Sequence, residues 1–172
     1  MISNMNLNRS MWQTVMVLTL AFWLSSSLLL DTVMMPVLYT SGMMTEPGFA
    51  TAGYSMFWVF NRLELLCAAL IFTSALGLRY IQVDRKSLGL NAVVLAALLL
   101  DIVLIYTYGL TPQMSALGLQ LNLFSATAAA PALMNSFHAG YWLLEALKLV
   151  AAGWLLKLCY RSSMELTQPA HH

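Results

Sequence analysis

Residues 88–108 read LGLNAVVLAALLLDIVLIYTY, an apolar run interrupted by one charge, Asp101. About 20 mainly apolar residues in a helix cross the hydrocarbon core of a bilayer, so this stretch has the length and composition of a membrane span. Working outward, residues 12–39, 49–78 and 137–160 qualify in the same way. The composition agrees: 60% of the 172 residues are hydrophobic and 9% are charged, where soluble domains carry roughly 25% charge. The deficit in charge is the stronger signal. Eight basic and seven acidic residues give a net charge of +1, which offers no footprint for nucleic acid. The chain leaves little beyond its spans for a second domain. The expected fold is all-α: residues 1–172 form a single transmembrane domain, a four-helix bundle in the lipid bilayer.

The first span is too long for a signal peptide, whose apolar region is usually about 7–15 residues. Leu28-Leu29-Leu30-Asp31 stands where small residues would mark cleavage. Pro36 near its far end is tolerable as a kink, because neighbouring helices can satisfy the freed carbonyl. Arg9, Arg79, Arg85, Lys86, Lys157 and Arg161 all fall on one side of the spans, and the opposite connections, 40–48 and 110–136, contain no Lys or Arg. That asymmetry puts both termini in the cytoplasm, of a bacterial inner or photosynthetic membrane. Trp12, Tyr39, Tyr80, Tyr106, Tyr108 and Tyr160 lie near the predicted interfaces, as an aromatic belt would.

In the connection 110–136, Met114, Leu117, Leu121 and Phe124 recur at helical spacing between Pro112 and Pro131. This predicts a short interfacial helix between spans three and four, or a plain loop. Ala68, Ala69, Ala92, Ala96, Ala151, Ala152 and Gly153 would permit close helix approach. The tail after Arg161, with His171 and His172, is given no function.

Six of the fifteen charged residues remain within the spans: Asp31, Arg62, Glu64, Asp101, Glu145 and Lys148. Each costs roughly 2.5–3.5 kcal/mol near a helix centre on an insertion scale, so each is expected to face the bundle interior or a partner. At a rise of about 1.5 Å per residue, Arg62 lies about 20 Å in from the external end of its span, Asp101 about 10 Å and Glu145 about 12 Å, with Asp31 one or two turns in. The acids therefore gather in the external half. His138, Tyr141, Glu145 and Lys148 share one face of the fourth span, and Asn61 and Glu64 share a face of the second. Four acids against two bases leave two surplus negative charges, to be protonated, hydrated in a cavity or neutralised by a bound cation. The bland reading is that Arg62 and Lys148 pair with two acids while Asp31 and Asp101 cap helices or bond near the interface.

A proton or hard-cation site would use Asp31, Asp101 and Glu145, with His138 as a titrating neighbour. Met34, Met35, Met43 and Met44 bracket the external end of span one. Thioethers suit soft metal ions, although membrane helices also use Met as flexible filler. His138, helped by Tyr141, Trp142 and Trp154, could ligate a single porphyrin or pigment. Cys67 and Cys159 fall toward the cytoplasmic side, a reducing compartment, so they predict no disulfide. Nothing resembles a nucleophile with its base, a phosphate loop or a zinc spacing, and the chain is read as no enzyme.

Phe22-Trp23-Leu24 through Met35-Pro36-Val37-Leu38, Phe57-Trp58-Val59-Phe60-Asn61-Arg62, and Phe137-His138-Ala139-Gly140 together form a pattern over nearly the whole chain. It resembles a four-helix transmembrane family of unknown function that includes eukaryotic membrane proteins associated with platinum-drug resistance and, more distantly, copper-resistance membrane domains. Family members commonly carry glycines where this chain has Ser25-Ser26-Ser27, and often a small polar residue where it has Glu145. The added acid points to a specialised subgroup, such as one of photosynthetic bacteria. The resemblance implies a four-helix bundle and no established activity. Two functions are expected from the residues. The first is a non-enzymatic membrane protein that binds or helps handle a small cation or metal. The second is an accessory or assembly subunit of a larger membrane complex, photosynthetic or respiratory, or a homo-oligomer.

Overall fold

The computed structural model describes residues 2–43, 46, 48–81, 90–124 and 132–167; Met44, Arg85, Lys86, Pro131 and the tail from residue 168 lie outside the described residues. Among the described residues there are helices and short turns and no strand. Helix α1 (Ile2–Leu29) runs through a π-helical turn, Leu30–Met34, into α2 (Met35–Thr40). Helix α3 (Phe49–Ile81) returns. Helix α4 (Leu90–Ile105) passes through a second π turn, Tyr106–Leu110, into α5 (Thr111–Phe124), and α6 (Ala132–Thr167) completes the bundle.

Both π turns have the same cause in the sequence. Each stops two residues before a proline, Pro36 in one case and Pro112 in the other. A proline inside a helix removes one backbone donor and crowds the carbonyl four residues back. Widening the preceding turn by one residue relieves that crowding without ending the helix. The third span was expected to end near Tyr108, with a separate short interfacial helix or a plain loop between Pro112 and Pro131. Instead the helix continues through Pro112, and 111–124 extends the same rod.

Contacts join α1 to α3, α3 to α4, α4 to α6 and α6 back to α1, a closed ring of four rods. Each neighbour runs antiparallel to the next. At one end Gln13 Nε2 donates to the Cys159 carbonyl at 3.0 Å and Arg9 donates to Ser162 Oγ at 3.4 Å; toward the other end Trp23 meets Glu64 and Asn61 meets Thr111. The end that holds Arg9, Arg79, Lys157 and Arg161 is called here the basic end. Toward it the core is apolar and finely packed, with Met16, Leu20, Ala68, Ile71, Ala75, Ala92, Ala96, Leu99, Ala152 and Leu155 all buried. Five of the small residues expected to line helix contacts are buried there, whereas Ala69 and Gly153 face outward. Gly77 marks the closest approach of α3 to α1: a Cβ at this position would stand 3.1 Å from the Trp12 indole.

Among the described residues the outer surface is mostly apolar. Leu18, Leu66, Leu143 and Val150 are each more than 60% exposed, far beyond what a water-soluble monomer tolerates as a continuous girdle. Three helices, Arg9–Thr40, Thr51–Ile81 and Leu90–Leu117, are long and apolar enough to cross a membrane. Helix α6 has the length, at 36 residues, but Glu145 and Lys148 dilute its apolar run, and both are buried against the other rods. Of the expected aromatic belt, Tyr39, Tyr80, Tyr108 and Tyr160 are exposed, Trp12 is half-buried against Gly77, and Tyr106 is 1% exposed in the core.

Candidate functional site

The polar residues of the spans meet beyond the apolar core, away from the basic end. Trp23, Ser27 and Asp31 follow one another at four-residue steps, which lines them along one face of α1 and its π turn. Glu64 on α3 and Glu145 with Lys148 on α6 face that stripe. Lys148 is the hub: its Nζ lies 2.5 Å from Glu64 Oε1 and 2.8 Å from Glu145 Oε2, with all three side chains almost fully buried. Trp23 Nε1 donates to Glu64 Oε1 at 2.8 Å and Ser27 Oγ donates to the same oxygen at 3.3 Å. The rings of Tyr106 and Trp23 stand 5.4 and 5.9 Å from the ammonium, close enough for their faces to stabilise it.

Tyr106, the first residue of the second π turn, donates to Glu145 Oε2 at 3.1 Å. Tyr141 stacks against Tyr106, ring centroids 5.1 Å apart, and its hydroxyl reaches Asp31 Oδ1 at 3.5 Å. The Asp31 and Glu145 carboxyl groups are within hydrogen-bonding reach of each other. Each also has one buried oxygen, Asp31 Oδ2 and Glu145 Oε1, that accepts no hydrogen bond from the described residues. Two carboxylate oxygens have no proton between them to share. A buried polar atom without a partner costs about 1–3 kcal/mol, so this pair is the unfinished part of an otherwise satisfied network.

Next to the pair opens a cleft of about 540 Å³ between the α1–α2 rod, α3, α5 and α6. Asp31 and Tyr141 lie on its inner wall. Tyr39, Phe49, Phe57 and Trp142 give it an aromatic lining, Thr111 and His138 contribute polar edges, and among the described residues Lys and Arg are absent from its walls. Asn61, buried, donates to Thr111 Oγ1 at 2.7 Å and pins α3 to the start of α5 beside it.

The sequence-derived residues therefore separate into two groups. Asp31, Glu64, Tyr141, Glu145 and Lys148 converge, with His138 on the cleft wall and Asn61 bonded to the wall residue Thr111. Asp101 does not join them: Ala92, Ala96, Leu99, Val103 and Tyr106 form the buried face of α4, and Asp101 lies on the opposite, exposed face. Arg62 is also exposed and stacks over the Trp58 ring at 3.8 Å rather than pairing with an acid. Of the methionines, Met34 and Met43 are exposed, Met35 is on the cleft wall, and Met44 falls outside the described residues. Among the described residues no three His, Cys, Asp or Glu side chains gather as a metal cage. Trp23, Ser27 and Tyr106 are members that the sequence reading missed. The four-residue step from Trp23 to Ser27 to Asp31 was available to find the first two, and the small-residue face of α4 points to the third.

Compared with protein-family models, curated proteins and solved structures, the chain matches none.

Proposed function

We propose that this protein is a non-enzymatic integral membrane protein whose buried acid cluster takes up a small cation, and that the cation its geometry fits best is a proton held between Asp31 and Glu145. All four rods cross the bilayer, with the basic end and both termini in the cytoplasm of a bacterial inner or photosynthetic membrane. The observation that carries this reading is the pair of buried, unpartnered oxygens on two carboxyl groups that are within reach of each other. Among the described residues three buried acids stand against one buried base. Lys148 is engaged by Glu64 and Glu145, so a proton on the Asp31–Glu145 pair both fills the missing hydrogen bond and reduces the uncompensated charge. Asp31 lies on the cleft wall, while among the described residues Leu20, Ile71, Leu99 and Leu155 fill the core toward the basic end.

The test is the pH dependence of thermal stability of the purified protein. Loss of the shared proton leaves two carboxylates facing each other, so Tm falls as pH rises. Asp31→Asn and Glu145→Gln each remove that fall. A wild-type profile that both variants reproduce unchanged sinks the proposal.

A second reading, membership of a larger assembly, is favoured by Asp101. It is exposed about 16 Å along the rod from Leu90 at 1.5 Å per residue, at a depth where a lipid-facing carboxylate is costly and a partner's polar group is not. Native mass spectrometry in mild detergent decides it: a second copy or a stoichiometric partner is expected, and a monomer under every mild condition rules it out.

A further inference from the structure

We infer that the cleft is a binding site for an amphipathic organic ammonium ion, a primary or secondary amine on an apolar body, which pairs with Asp31 in place of the proton that Asp31 shares with Glu145. The inference rests on the preceding reading of that carboxyl pair and gives its site a ligand class. A cavity of about 540 Å³ lies within the roughly 300–1,000 Å³ of small-molecule sites, which are mostly apolar with a few placed polar groups. Its lining of Phe49, Phe57, Tyr141 and Trp142 suits an apolar body, and aromatic faces also attract cations. Among the described residues its walls carry no Lys or Arg, which leaves Asp31 as the carboxylate a ligand meets.

Asp31 is 8% exposed, and its Oδ2 accepts nothing from the described residues. An ammonium N–H in the cleft supplies a donor to that carboxyl group and, with it, the compensating charge that Lys148 already spends on Glu64 and Glu145. A metal ion would need several donors arranged round it, whereas an ammonium needs one carboxylate and an apolar enclosure. The exchange balances: one ammonium enters, one proton leaves, and the charge of the cluster with its ligand is unchanged. The groups that bear on Asp31 are Tyr141, Glu145 and Lys148 from α6, Glu64 from α3 and Tyr106 from the second π turn. His138 stands on the cleft wall. Acid weakens binding by keeping the proton on the carboxyl pair.

The experiment uses the full chain in phosphatidylcholine nanodiscs with 2-naphthylmethylammonium as the probe and 2-naphthylmethanol as its neutral match, followed by calorimetry and by a pH dye in weak buffer. The ammonium is expected to bind at least about tenfold more tightly than the alcohol, as a charge-assisted hydrogen bond implies, with about one proton released per ammonium bound. Asp31→Asn abolishes the preference, and Phe57→Ala weakens both probes. Glu145→Gln keeps binding and loses proton release, which preserves the test if Asp31→Asn does not fold. Nanodiscs containing phosphatidylethanolamine identify the source of the ammonium: competition by that lipid makes the occupant a headgroup, and no competition makes it a free solute. Equal affinity for alcohol and ammonium, or a preference that survives in folded Asp31→Asn, overturns the inference. A flat pH–stability profile without probe, combined with Asp31-dependent ammonium binding, removes the shared proton and keeps the site. The reverse outcome removes the site and keeps the proton.

Discussion

Toward the basic end the four rods meet through Ala68, Ala75, Ala92, Ala96 and Ala152 with Leu20, Ile71 and Leu155 between them; toward the cleft the same rods are joined by Lys148, Glu64, Glu145, Tyr106 and Trp23. In lipid there is no hydrophobic gain in burying one apolar helix face against another, so the first region depends on close packing of small side chains. The second depends on charges that have nowhere else to go. The difference teaches that, among the described residues, the buried acids are gathered in the cleft half, and that apolar packing separates them from the basic end.

The largest test of this contrast is Lys148→Met. It strands Glu64 and Glu145 without their shared cation, and removing one partner of a buried ion pair costs about 3–5 kcal/mol. The expected result is a severe loss of Tm in detergent, with partial recovery when Glu64→Gln is added. Next is Ala96→Leu in the apolar half. Overpacking costs about 1–3 kcal/mol, so Tm falls while the pH profile of stability keeps its shape. A pH profile altered as strongly as by Asp31→Asn would mean that the two halves are not separate. Tyr106→Phe removes one hydrogen bond to Glu145 and is expected to cost about 1.5–3 kcal/mol if the acceptor is charged and about 1 kcal/mol if it is neutral. The smallest effect belongs to Asp101→Asn: the ammonium preference and the pH profile remain those of wild type, because its side chain points away from the cluster.

The helix count and the polar cluster were legible in the sequence because both follow from short-range rules. Long apolar runs give spans, and a charge in such a run must find the interior. Asp101 shows where the second rule breaks. It presumes a buried face for every charge, but the buried face of α4 is set by the step from Ala92 to Ala96, Leu99, Val103 and Tyr106, and Asp101 is half a turn away. Tyr106 was read as an interface anchor because it sits near the predicted end of a span; Pro112 does not end the helix, so Tyr106 lies one layer deeper than that reading placed it. Arg62 was expected to pair with an acid, and finds Trp58 one turn away instead. Which of several local partners a side chain takes depends on the rotation of its helix, and rotation is fixed by packing that no single segment encodes.

The burial of Glu145 and Lys148 by the other three rods also sets an order of assembly. A lone α6 keeps its Glu145–Lys148 pair but loses Glu64 and Tyr106 as partners, and polar groups left in hydrocarbon are costly, while Arg9–Thr40, Thr51–Ile81 and Leu90–Leu117 are long and apolar enough to cross a membrane. On the proposed four-span topology the three earlier rods form the receptacle that supplies Trp23, Glu64 and Tyr106 to the charges of α6. Truncation after α5 is then expected to leave membrane integration of the earlier helices intact, whereas α6 produced alone is expected to integrate less.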